Sequence, residues 1–354
     1  MKLPVCLVLS SLLAPALVAA SEPSLTPHLR TGLIWEDDRT GSEDRAAFTL
    51  SRAEFGGCWR EGAWQATAVG EWVRSAAPGS LLGVAGNSYL LRPRQMEVGW
   101  EQRLGEDWLV SAAGGLLLLE PVRLAARDPL AELEGTPTQR FMGDDAADLG
   151  AEVRVRYGSM VEVGGGLYNG EGASDVERNQ EQNLSGSIRL TPGGDEGYAG
   201  FTPRLEGYLS QGTLGAGSQA VMRSEGVLSV AHALGVVRFG FGVGEGGVTL
   251  ADAASSWLRT TLETRPIIAG LSAVALYEAY APDEGTAGER TRAGGGLRWQ
   301  GNAGALSPTV MAWFESVSSD ESVAPVLGAS AATDGMRIRL SLTIRAAEPA
   351  VDDR

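Results

Sequence analysis

The sequence predicts an all-β fold: a transmembrane antiparallel β-barrel of about sixteen strands, with short turns on one rim and long loops on the other. Three observations predict it. An export-type segment opens the chain, runs of alternating apolar and polar residues recur along nearly its whole length, and the connections between those runs alternate short and long. A closed sheet, apolar outside and polar inside, satisfies every backbone hydrogen bond within a bilayer, which an open sheet cannot do.

The export segment comes first. Lys2 gives a positive start, Pro4 to Leu17 is mostly apolar, and Val18-Ala19-Ala20 supplies small residues for cleavage, so residues 1–20 read as a signal peptide. The apolar stretch is too short for a spanning helix, and no other run of 18 apolar residues exists. Cys6 lies within this segment, which leaves Cys58 alone in the mature chain, so no intramolecular disulfide can staple the fold. Lys2 is the one lysine among 29 cationic residues, and the other 28 are arginine. The 48 glycines follow no collagen-like period and suit turns and close-packed strands. No linker or composition break divides the remainder, so residues 21–345 read as one barrel and 346–354 as a polar tail.

Candidate strands occupy 27–35, 46–56, 63–74, 94–104, 107–117, 146–157, 160–168, 183–191, 202–211, 221–232, 235–245, 256–265, 271–280, 290–300, 307–318 and 335–345. Most are roughly 9–12 residues, the length a tilted membrane strand needs. Successive side chains of a strand point to opposite faces. In 151–157, Val153, Val155 and Tyr157 therefore oppose Glu152, Arg154 and Arg156. In 235–245, Val237, Phe239, Phe241 and Val243 oppose Arg238 and glycines. In 290–300, Ala293, Gly295, Leu297 and Trp299 oppose Arg290, Arg292 and Arg298. The last strand, GMRIRLSLTIR, sets Met336, Ile338, Leu340, Leu342 and Ile344 against Arg337, Arg339, Ser341, Thr343 and Arg345.

Two runs fit badly. In 46–56, Arg52 and Glu54 share a parity with Phe48 and Leu50, which requires a bulge or a subunit contact. The run 271–280, LSAVALYEAY, is apolar on both faces and could pass for a helix. The connections speak for the barrel even so. Those after even-numbered strands are short, such as Gly105-Glu106, Gly158-Ser159 and Ala233-Leu234, whereas those after odd-numbered strands are mostly long, polar and acidic. Trp35, Trp64, Trp108, Tyr157, Trp257 and Trp299 fall near strand ends, where an interfacial girdle would hold them, the alternative being that a couple are simply buried.

The net charge of −15 hides a division. In this register sixteen arginines and ten glutamates share the inner face, an excess of six positive charges, while the acids concentrate in loops. An arginine-rich lumen focuses positive potential and favours anions, the alternative being that Arg–Glu ladders merely brace the wall. The candidate anion path comprises Arg154, Arg156, Arg290, Arg292, Arg337 and Arg339. The longest loop, 118–145, holds PVRLAARDPLAEL, a short helix that Pro121 would open and Pro129 would cut. Folded into the lumen, it would make Arg123, Arg127 and Arg140 constriction residues; lying over the rim, it would touch a neighbouring subunit.

Catalytic chemistry finds no support. His28 and His232 have no serine–acid partners at suggestive spacing, and HExxH, CxxC and a nucleotide loop are absent. GGDEG (193–197) and GEGG (244–247) read as turns. The acid runs Glu36-Asp37-Asp38 and Asp144-Asp145 read as solvated loop tips rather than metal sites. No catalytic residue, cofactor, metal or nucleic-acid partner is therefore assigned.

Several stretches resemble the phosphate-selective porin O/P family. Asp148-Leu149-Gly150 leads a strand that is followed by a tight turn, then GGGLYNGEG (164–172) and NLSGSIRLTP. FTLSRAEFGG (48–57) is similar to that family's early Arg-Ala strand, and GGLLLLEPVRLAARDPLAEL to its strand leading into the third loop. The resemblance implies a sixteen-stranded homotrimeric outer-membrane porin of a Gram-negative bacterium, set among lipid and lipopolysaccharide, with an arginine-lined, anion-conducting lumen. The expectation is passive diffusion of small anionic or polar solutes, phosphate among them. The alternative is a non-conducting structural or surface-binding barrel.

Overall fold

The structure, a computed structural model, describes residues 23–39, 45–75, 88–125, 128–130, 147–169, 182–194, 197, 199–214, 219–245, 254–281, 288–302, 306–320 and 334–346. The signal peptide, most of the polar tail, Asp144-Asp145, Arg127 and Arg140 lie outside the described residues. Sixteen strands run β1 Ser24–Asp38, β2 Arg45–Glu61, β3 Trp64–Ser75, β4 Ser88–Leu104, β5 Trp108–Leu118, β6 Ala147–Tyr157, β7 Val161–Tyr168 and β8 Asn183–Leu190. They continue as β9 Thr202–Leu214, β10 Gln219–His232, β11 Gly235–Glu245, β12 Ala254–Thr264, β13 Leu271–Ala281, β14 Arg290–Gln300, β15 Leu306–Ser319 and β16 Gly335–Ala346. Each pairs antiparallel with its sequence neighbours, and β1 closes onto β16 with Arg30 opposite Arg345. Closure leaves no strand edge open, which is the organisation of outer-membrane barrels.

The two faces follow from the alternation. On β16, Met336, Ile338, Leu340 and Leu342 are exposed on the outer surface, while Arg339, Ser341 and Thr343 between them are buried on the inner one. The short turns after β2, β4 and β6 use Gly62, Gly105 and Gly158 at φ 58°, 73° and 52°, left-handed conformations that a side chain would disfavour.

Both misfits have physical reasons. The β1–β2 register shifts between Gly32 and Leu33: Gly32 faces Arg52 and Leu33 faces Leu50, so Ser51 is the extra residue of a bulge. A bulge inverts parity along the strand, which is what Phe48, Leu50, Arg52 and Glu54 require. The second misfit, 271–280, is strand β13, with Val274 and Leu276 buried on its inner face. A second bulge was not anticipated. Val69 faces Gln95 while Gly70 faces Pro93, so Arg94 is extra on β4.

Trp257 takes the buried alternative, on the inner face of β12, whereas Trp64, Trp108 and Trp299 lie exposed outside. Inner-face aromatics lie on glycines of the neighbouring strand. A Cβ at Gly294 would come within 2.6 Å of Trp313, which explains the glycine run of β14.

Candidate functional site

The site is the inner wall together with the third loop. The expected helix is shorter than the sequence pattern suggests. α1 covers Glu120–Ala125 only, since Pro129 follows within a turn, and Asp128 to Leu130 continue as a turn. Arg123 reaches the β6 wall, both its terminal nitrogens 2.8 Å from the carboxylate of Glu152. At the other end, Asp128 stands 2.8 Å from Arg259 on β12. Leu130 packs with Ile34, Val274, Leu276, Met311 and Trp313, all on the inner face of β1, β13 and β15. The loop's described residues thus cross the lumen and touch opposite walls.

On the near wall, Arg154 sits among three carboxylates: Glu120 at 2.6 Å, Glu152 at 3.2 Å and Glu162 at 3.3 Å. Arg189 extends the lattice to Glu162 at 3.2 Å and Glu206 at 2.7 Å. Burial pushes the Glu120 carboxyl above its usual range, against the pull of Arg123 and Arg189.

On the far wall, Arg259 and Arg292 each stand 3.0 Å from Glu278. Glu315, fully buried, collects Arg337 at 3.0 Å, Arg292 at 3.5 Å and Arg339 at 3.8 Å. Glu36 closes the chain by binding Arg339. Glu36 therefore belongs to the lumen lattice and not to a solvated loop tip.

Of the sequence-assigned arginines, Arg154, Arg292, Arg337, Arg339 and Arg123 are thus tied to carboxylates. Arg290 lies on the inner face of β14. Arg156 has neither a hydrogen bond nor an ion pair among the described residues.

The sequence pattern missed Arg92 and Arg94. Arg92 stands 2.8 Å from Glu71, and Arg94 lies 2.9 Å from Glu54 and 3.2 Å from Glu71. The bulge had placed them on the wrong parity, and Pro93 within a strand was the available signal. Glu36, Glu54 and Asp148 join the inner face and Arg265 lies past the end of β12, so the arginine excess is smaller than six.

No protein-family model matches the chain, and no curated protein matches its sequence. Among solved structures it is similar to the anion-selective porin from Comamonas acidovorans, with TM-score 0.59 and 14% identity over 92% of this chain and 99% of that one. It is also similar to the outer-membrane expressed OmpT of Vibrio cholerae, with TM-score 0.59 and 11% identity over 92% and 98%. OccAB1 of Acinetobacter baumannii gives TM-score 0.52 and 11% identity over 92% and 97%. At such identities the likeness shows the fold, that of outer-membrane porins, and does not single out the phosphate-selective O/P family.

Proposed function

We propose that this chain is an outer-membrane porin, a passive-diffusion channel for small solutes that prefers anions. The observation that carries the reading is the inner wall: strand after strand turns arginine, glutamate, serine and threonine inward, a surface suited to water and ions. Among the described residues arginine exceeds carboxylate there, and a low-dielectric wall concentrates the resulting potential. That a solved barrel of the same fold is described as an anion-selective porin agrees with this sign. Phosphate is one candidate solute among small anions, because guanidinium forks match phosphate and carboxylate alike.

His28 hydrogen-bonds Glu54 at 3.0 Å on the β1–β2 wall, and His232 stacks on Phe201 at the end of β10. The assembly proposed is a homotrimer among lipid and lipopolysaccharide, and cross-linking of the unboiled protein checks it.

One observation favours the runner-up, a non-conducting barrel: the third loop is fastened to both walls. Reconstitution decides between them. Liposomes carrying the purified barrel should swell in isotonic solutions of small solutes, faster for anions than for cations of similar size. Liposomes that stay as tight as protein-free ones would sink the channel.

A further inference from the structure

Arg156 on β6 and Glu162 on β7 stand directly opposite each other in register, the arrangement that ordinarily makes a cross-strand ion pair. Here Glu162 instead turns its two oxygens to Arg154 at 3.3 Å and Arg189 at 3.2 Å. Arg156 is left with no ion pair or hydrogen bond among the described residues, and so is Arg204 at the foot of β9. Both line one cavity of about 380 Å³ at the short-turn rim, together with Arg103 and Arg189. In the hydrogen-bonded row, Leu109 lies between Arg103 and Arg156, so no carboxylate intervenes there.

Among the described residues the remaining acids of the cavity are Glu106 and Asp107, both exposed on the β4–β5 turn, where water and salt screen them. Leu109 supplies an apolar side. Elsewhere on the wall, an entering anion must compete with the glutamates that hold Arg154, Arg292 and Arg337. Here two guanidinium groups stand uncommitted around a space of ligand size.

We propose that this cavity is a binding site for a small dianionic oxyanion of the phosphate type at the periplasmic mouth, apart from the third loop. Each guanidinium offers two parallel N–H donors, and two such forks suit an ion with two negative charges and several acceptor oxygens. The site rests on the porin reading only for its water-filled access, since binding needs no current. An anion leaving the lumen would be held there before release.

Equilibrium dialysis of the unboiled, detergent-solubilised barrel with radiolabelled inorganic phosphate tests this, at low salt and mildly alkaline pH. One saturable site per barrel is expected. Arg156→Gln and Arg204→Gln should each weaken it about tenfold, the scale of one lost charge-assisted hydrogen bond. Arg156→Lys should retain an intermediate affinity. Retained heat-modifiable gel mobility shows that each variant folds, and either glutamine variant decides the matter if the other does not fold. Wild-type binding without saturation, or glutamine variants that bind as wild type, would overturn the site. Saturable, arginine-dependent binding by a barrel that passes no current would uphold the site and refute the channel. Current without saturable binding would do the reverse.

Discussion

The two walls that the third loop touches are built differently. The β6–β9 wall meets the loop with charge: Glu152 and Arg154 take Arg123 and Glu120 into a lattice that continues through Glu162, Arg189 and Glu206. The wall from β12 round to β1 offers one charged anchor, Arg259, and an apolar seat of Val274, Leu276, Met311, Trp313 and Ile34 for Leu130. One loop therefore matches two chemistries, charged near its helix and apolar beyond it. Alternation along a strand tells which residues face inward, whereas what covers them depends on partners far away in sequence.

Removing the hub of the far wall should have the largest effect. Glu315→Ala leaves Arg292, Arg337 and Arg339 without their shared carboxylate, and breaking such a buried network costs about 3–5 kcal/mol. Urea unfolding in detergent should show it. An effect below that of Glu120→Ala on the near wall would reverse the ranking of the two walls.

The next effect separates the inside of β16 from its outside. Leu340→Arg places a cation in lipid and should cost about 2–4 kcal/mol near the midplane. Ser341→Ala, one residue along on the inner face, should cost far less in the same assay. Equal losses would mean that the strand faces are misassigned.

Leu130→Ala tests the apolar seat. A loss of about 2 kcal/mol, the low end for a buried leucine truncated to alanine, should fall on loop docking and leave the barrel intact. Single-channel conductance should rise while the heat-modification temperature holds. Unchanged conductance would mean that the seat does not position the loop. The smallest effect belongs to the exposed pair Arg39–Asp37, at 3.0 Å. Arg39→Ala should shift stability by less than about 0.5 kcal/mol, as exposed ion pairs do.

The strands were legible because a half-buried strand writes its period into sequence, and all sixteen expected runs overlap observed strands. β4 is the instructive exception. It begins at Ser88 rather than 94, and its bulge at Arg94 inverts parity, so a strict period-two reading lost Arg92 and Arg94. Trp257, near a strand end, suited the girdle as well as the interior. Its support, the glycines on the inner face of β11, was visible only once the strands were paired. Likewise LSAVALYEAY is apolar on both faces because lipid covers one and Leu130 approaches the other. The candidate arginines were legible as inward-facing, but not their partners. That Glu162 serves Arg154 and Arg189 rather than Arg156 is set by side-chain geometry across three strands.

The most direct test of an anion-preferring porin is the reversal potential of the reconstituted barrel under a KCl gradient in a planar bilayer. A potential on the chloride side is expected. It should be largest at low salt, because screening shortens to about 3 Å at 1 M. It should move toward potassium when Arg154, Arg156, Arg337 and Arg339 are neutralised together in a barrel that still folds. A wild-type channel that already prefers potassium would contradict the account, leaving the arginines as braces and the acidic loops as the selectivity element.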